Sequence, residues 1–280
     1  MDAGHDEPST ADTQSQRNEK LRGEAVSSLA GGIAHDFNNI LGAVLGFSKF
    51  LIDDLDPSSP QHVYAERIAT ASERGRDLVE QIFAFSRAGR EERRPENIVA
   101  LIEEATSALP GLVPTASVSI SASPRALISN VNTDEIGQLL TILSINAGDA
   151  LIGDRGEISV TVTEVSADHD DYRTLCSSAD HSIHPTDDGS LEIVVGLPMP
   201  AKRFARINVT DSGTGMTRET LAKAFDPFFT TKGRALHAGL GLAVAHNIVE
   251  ASGGSCTVRT AKGIGTTVSV WLPLIDEPAG

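Results

Sequence analysis

The residues best suited to chemistry come in short runs. The first is Ala34-His35-Asp36-Phe37-Asn38-Asn39. Around it, apolar residues at Val26, Ala30, Ile33, Phe37, Ile40, Val44, Phe47 and Leu51 alternate in steps of four and three. That is the heptad seam of a helix packed against other helices. With the seam at positions a and d, His35 falls at f, pointing furthest from the partner helices. Asn39 lies one turn on and shares its face. An outward imidazole with the Asp36 carboxylate beside it and an amide below is a reactive arrangement. A surface histidine on a bundle helix is the plain alternative, and the downstream runs decide between the two.

Asp211-Ser212-Gly213-Thr214-Gly215-Met216 follows directly on a predicted strand. Its glycines let backbone approach a ligand closely. A buried carboxylate at Asp211 can accept a hydrogen bond from an exocyclic amine such as that of adenine. In Phe225-Asp226-Pro227-Phe228-Phe229-Thr230-Thr231-Lys232, Pro227 stops a short helix and aromatics enter an otherwise polar loop, one able to close over a ligand. Gly239-Leu240-Gly241-Leu242-Ala243 opens a helix that ends at Gly253-Gly254. Backbone N–H groups and the positive end of the helix dipole suit phosphates there, with Lys232 and Arg234 adding charge. Upstream, Asn146-Ala147-Gly148-Asp149-Ala150 lies on a predicted helix, and the Asn146 carbonyl oxygen is a hard ligand suited to Mg²⁺ bridging phosphate oxygens. Singly, these runs have ordinary readings: a surface turn, or core packing by Phe228 and Phe229. Their order and combination point to a nucleotide site.

Two helices must carry His35. The second has Tyr64, Ile68, Ala71, Gly75, Leu78, Ile82 and Phe85 at the same spacing, after a turn at Asp53 to Pro60. Each helix has one seam, half a core, and a homodimeric four-helix bundle buries both most simply. Coiled-coil pairing with another protein is the competing arrangement. A basic, polar stretch from Arg87 to Pro95 reads as a linker. Beyond it the periods mix. Helices are predicted over Ile98–Leu109, Thr133–Ile152 and Gly241–Ser252, and strands over Val118–Ser121, Ile158–Val165, Arg206–Thr210, Cys256–Thr260 and Thr266–Leu272. The fold class is α+β, one sheet covered by helices. The predicted organisation is a disordered segment over 1–20, a helical hairpin over 21–90, a nucleotide-binding layer over 95–275 and a tail over 276–280. A solvated, aspartate-rich insertion over 166–202, with a strand at Leu191–Val195, interrupts the layer. Its His169, His181 and His184 lack a framework to hold a metal.

The 280 residues are 40% hydrophobic and carry a net charge of -15. That acidity argues against general binding to nucleic acid or to anionic membranes. No apolar run approaches the roughly 20 residues that span a bilayer, and no secretory signal opens the chain. Cys176 and Cys256 form no metal-like pair, which fits a reducing compartment. The expectation is a soluble, cytoplasmic protein. No sensor domain fits before the His35 helix, so input comes from a separate sensor protein, or the chain is a fragment of something longer.

Taken together the runs resemble the two-component sensor histidine kinases whose phosphoacceptor box reads H-D-F-N-N. The likeness covers about Val26 to Pro273. It implies a dimerisation and histidine-phosphotransfer hairpin followed by an ATP-binding α/β sandwich of the gyrase, Hsp90 and histidine-kinase type with a mixed sheet. It assigns His35 as phosphoacceptor, with Asp36 and Asn39 beside it, and the aspartate of a response-regulator receiver domain as the group's destination. ATP and Mg²⁺ would be held by Asn146 and Asp149 of the N box, Asp211, Gly213 and Gly215 of the G1 box, Phe228, Thr231 and Lys232 of the F box, and Gly239, Leu240 and Gly241 of the G2 box. Three positions depart from the family pattern. Ile142 stands where another Asn is usual, His237 where the G2 box usually has a further Gly, and Asp226 where the F box usually has Glu. Related ATPases carry a water-activating Glu at the Ile142 position, and an isoleucine cannot act as a base. Two rivals stay open: a phosphotransfer or phosphatase protein whose nucleotide site has decayed, and a non-enzymatic dimeric adaptor.

Overall fold

A computed structural model describes residues 37, 39–87, 91–114, 116–151, 156–169, 182–196, 200–231 and 239–275. His35, Asp36, Lys232, Arg234, His237 and both predicted terminal segments lie outside them. The chain divides into two compact units, one ending at Arg87 and the other beginning at Ala88.

The first unit is a helical hairpin of α1 (residues 39–54) and α2 (Pro60–Arg87). The turn between them is held by the Asp56 carboxylate, which accepts from the Ser58 amide at 2.8 Å and the Ser58 hydroxyl at 2.7 Å. The Ser59 hydroxyl accepts from the His62 amide at 3.2 Å, satisfying a donor at the start of α2. Helix α1 has two apolar faces. Leu41, Leu45, Ser48, Ile52 and Leu55 are half-buried or buried, and they too step by four and three. Ala65, Ala69 and Ser72 are buried on α2. Gly75 lets the helices close: a Cβ there would lie 3.2 Å from Cδ2 of Leu41. The other face of α1 is the seam read from the sequence. Phe37, Ile40, Val44, Phe47 and Leu51 all remain exposed, Phe47 to 69%.

In the second unit, β1 (Arg94–Asn97) pairs antiparallel with β3 (Ile128–Val131). A seven-stranded mixed sheet runs β2 (Ala116–Ala122), β4 (Gly156–Ser166), β7 (Arg203–Asp211), β9 (Gly265–Pro273), β8 (Ser255–Ala261), β6 (Leu191–Val195), β5 (Ile183–Pro185). Among the described residues only the β2–β4 pair is parallel. Helices α3 (Ile98–Leu112), α4 (Thr133–Ala150) and α6 (Gly241–Ala251) cover one face. Alternate residues of the central strands point toward them, among them the fully buried Ile158, Val160 and Val162. Asn97 and Asn132 cap α3 and α4, accepting from the amides of Val99 at 3.2 Å and Glu135 at 3.0 Å. On the other face Val165, Val194, Phe204 and Trp271 form a smaller cluster, and the Arg206 guanidinium lies 5.3 Å from the Trp271 ring centre.

The segment read as a solvated insertion is partly built into this sheet. Strand β6 is paired with β8 over Leu191–Val195, and β5 extends the edge. The acidic character that made it look solvated has a local use. The Asp188 carboxylate accepts from the Ser190 amide at 3.1 Å and pairs with Arg259 at 2.6 Å. The Thr186 hydroxyl above all, and then these two contacts, hold its carboxyl well below the usual carboxylate range.

Candidate nucleotide site

Strand β7 ends at Asp211, and its pairing to Ile158 of β4 and Thr266 of β9 sets the carboxylate on the helix-covered side. Asp211 is 8% exposed and accepts a hydrogen bond from the Gly213 amide at 2.8 Å. The loop that follows is tied down through both backbone groups of Thr214. The Thr214 amide donates to the Ala150 carbonyl at 2.9 Å, joining the loop to the end of α4, and the Gly263 amide donates to the Thr214 carbonyl at 2.7 Å, joining it to the β8–β9 turn.

The glycines of this loop answer first to the chain's own packing. At Gly215, φ is +61° and a Cβ would sit 2.0 Å from the Ala261 carbonyl oxygen. At Gly213 a Cβ would meet the Ala150 carbonyl oxygen at 2.4 Å. Neither position admits a side chain without backbone movement, with or without a ligand.

Asn146 and Asp149 lie on the last turns of α4, Asn146 half-buried and Asp149 exposed. Facing Asn146 is the start of α6. A Cβ on Gly241 would lie 3.4 Å from Asn146 Nδ2, 3.7 Å from its Oδ1 and 3.2 Å from Cγ2 of Ile142. The amide and the aliphatic side chain one turn earlier thus flank the first residue of that helix. Leu240, the N-cap residue, is almost fully buried and provides no side-chain cap. Gly239, at φ +70°, carries the chain past the Phe229 carbonyl oxygen, which a Cβ would meet at 2.5 Å. The F-box run and the G2 turn are therefore in contact.

Phe228 is exposed to 60% and holds φ at +66°. A bulky residue in that region is strained, and such outliers cluster at ligand-binding segments. Phe229 is half-buried, and so is Phe225. Phe225 packs beside Leu221 of the short helix α5 (Arg218–Leu221), against the buried Ile193, Val195 and Val258, and meets the His246 ring edge-on at 6.0 Å. Thr231 is exposed, and Lys232 lies outside the described residues. Asn39 is exposed on α1.

Sequence reasoning passed over Thr260 and Thr266. They lie in one row with Asp211 across β8, β9 and β7, and both are buried. The only signal was their place at the ends of two predicted strands that flank a glycine turn. Among the described residues no group of three or more His, Cys, Asp or Glu is placed to hold a metal ion. No helix among them is long and apolar enough to cross a membrane.

Comparison with known proteins agrees with this arrangement. Residues 25–91 match the His Kinase A (phospho-acceptor) domain, and residues 172–276 match the Histidine kinase-, DNA gyrase B-, and HSP90-like ATPase family. The chain is 30% identical to Sensor kinase CckA of Brucella abortus (strain 2308), over 97% of its own length and 26% of the relative's. It is 27% identical to Sensor histidine kinase ZraS of Escherichia coli (strain K12), over 92% of its length and 47% of the relative's. It thus spans between about a quarter and a half of these curated relatives. Full-length ShkA, solved in complex with AMPPNP, shares the fold with a TM-score of 0.62 at 20% identity, over 90% of this chain and 47% of that one. With a phosphoacceptor helical region preceding a sandwich of this topology, the chain belongs to the two-component sensor histidine kinases.

Proposed function

We propose that this protein is an ATP-dependent histidine kinase that phosphorylates its own His35 and passes the group to an aspartate of a response-regulator receiver domain. The observation that carries the reading is the pairing of two half-sites within one unit. Asp211 is buried beside a tied-down glycine loop, and Asn146 lies against the start of α6, which has no side-chain cap. The first suits a purine amine, the second a polyphosphate.

The donor set fits the nucleotide and its ion. Asp211 would take the adenine amine, and the backbone around Gly239 and Gly241 the phosphates. Asn146 would hold Mg²⁺, which neutralises phosphate charge when bound, and Asp149, one turn on, would face the nucleotide. One ring nitrogen of neutral His35 attacks the γ-phosphorus as the bond to the leaving ADP oxygen breaks. Asp36 accepts a hydrogen bond from the other ring N–H and stabilises the positive charge that develops. Such transfer needs positioning and charge neutralisation more than covalent assistance. The receiver's carboxylate then takes the phosphoryl group from the same nitrogen, and Asn39 can orient water for the reverse duty, hydrolysis of the phosphoaspartate. The exposed seam of α1 fits a homodimer, and the cytoplasm is the compartment.

The test is transfer from γ-labelled ATP with Mg²⁺. An acid-labile, base-stable label is expected on the parent and none on His35→Ala; a label that survives the substitution removes His35 from the mechanism. Failure of the parent to bind ATP–Mg²⁺ saturably would favour a decayed nucleotide site, the alternative motivated by Ile142 and His237.

A further inference from the structure

Thr260, the last residue but one of β8, is 1% exposed and lies in the strand row that contains Asp211 and Thr266. Its hydroxyl makes contacts in three directions. It accepts from the Met216 amide at 2.9 Å, donates to the Gly265 carbonyl at 3.1 Å, and lies 3.0 Å from the Thr266 hydroxyl. A hydroxyl has one proton and two lone pairs, so with Thr266 as donor every valence is used. Met216 closes the loop that begins at Asp211. Gly265 packs on the other side of Asp211, since a Cβ there would sit 2.0 Å from the Asp211 carbonyl oxygen. One oxygen therefore joins the two backbone segments that bracket the aspartate.

We infer that Thr260 is a positioning residue for the purine end of the nucleotide site, acting through Met216 and Gly265 on Asp211 rather than by touching the nucleotide. The inference rests on the kinase reading above. Removing the hydroxyl leaves the half-buried Met216 without the acceptor for its amide and frees both segments, a loss that is costly where water does not replace the partner. The phosphate half-site on α4 and α6 has none of these contacts. The loss should fall on nucleotide affinity and leave the transfer step alone.

Thr260→Val keeps the shape and removes the oxygen, whereas Thr260→Ser keeps the oxygen. Titration of the full chain with ADP and with ATP–Mg²⁺ should show Thr260→Val weakened by about tenfold, by the same factor for both nucleotides. The KM for ATP should rise with kcat unchanged, and Thr260→Ser should bind like the parent. If Thr260→Val does not fold, Thr260→Ala against Thr260→Ser provides the same comparison. Parent-like affinity in the hydroxyl-free variants, or a loss confined to kcat, overturns the inference. A parent that binds neither nucleotide overturns the kinase reading, and the inference with it.

Discussion

Cys256 faces the helix-covered side of β8 and is buried, and burial pushes its thiol up to about 12 from an ordinary 9.0. In a Cys176→Ser background it should be inert to a disulfide reagent at pH 8 until the protein unfolds, because the thiolate is the reactive form. The sign of the pH effect follows. Between pH 9 and 12 the unfolded chain releases this proton and the folded chain keeps it, so the stabilisation present below pH 9 is lost as pH rises through that window. Denaturant midpoints of parent and Cys256→Ala should therefore converge above pH 9; a constant difference would exclude the linkage. Residues whose chemistry lies in a local run, such as Asp211 with Gly213, were legible in the sequence because their contacts are two residues apart. Thr260 was not. Its amide donor, Met216, is 44 residues away, and only the strand register brings them together.

At the scale of elements, the heptad seam predicted helix α1 and the face of α1 that is apolar, but not that the hairpin closes on the neighbouring face. Leu41, Leu45, Ser48, Ile52 and Leu55 carry the same four-and-three step. A helix with two such stripes fits a bundle in which each helix has two neighbours. In the proposed homodimer the exposed seam is the face that a second copy would cover. Phe47→Glu, at the most exposed ring of the seam, should convert a dimer to a monomer by light scattering while helix content holds. Two rings per dimer lose burial worth about 1.5–3 kcal/mol each. An unchanged molar mass would move the dimer contact elsewhere. In the sheet, long strands with alternating residues were readable, whereas β1, β3 and β5 were not. They have three or four residues each, too few to show a period, and exist by pairing with a neighbour.

For the whole molecule, the junction between the units is where reading from composition and the observed contacts part. The basic, polar run before Pro95 looked like linker, yet its last residues are attached to the nucleotide unit. Arg93 Nη2 reaches Glu135 Oε2 at 3.5 Å, where the Glu135 carboxylate is buried at the first turn of α4. The Asn132 side-chain amide donates to the Glu92 carbonyl at 3.1 Å, and Arg94 opens the pairing with Val131. These contacts converge on the start of the helix that ends with Asn146 and Asp149, so the chain is committed to this unit from Glu92. A fragment beginning at Pro95 would keep a buried carboxylate and delete the guanidinium beside it, which costs about 3 kcal/mol when such a pair is broken. Fragments 88–280 and 95–280 should accordingly differ in urea midpoint, the longer one being the more stable, and Arg93→Met in the longer fragment should account for most of the difference. If the two fragments unfold together, Glu92 to Arg94 contribute nothing to the stability of this unit.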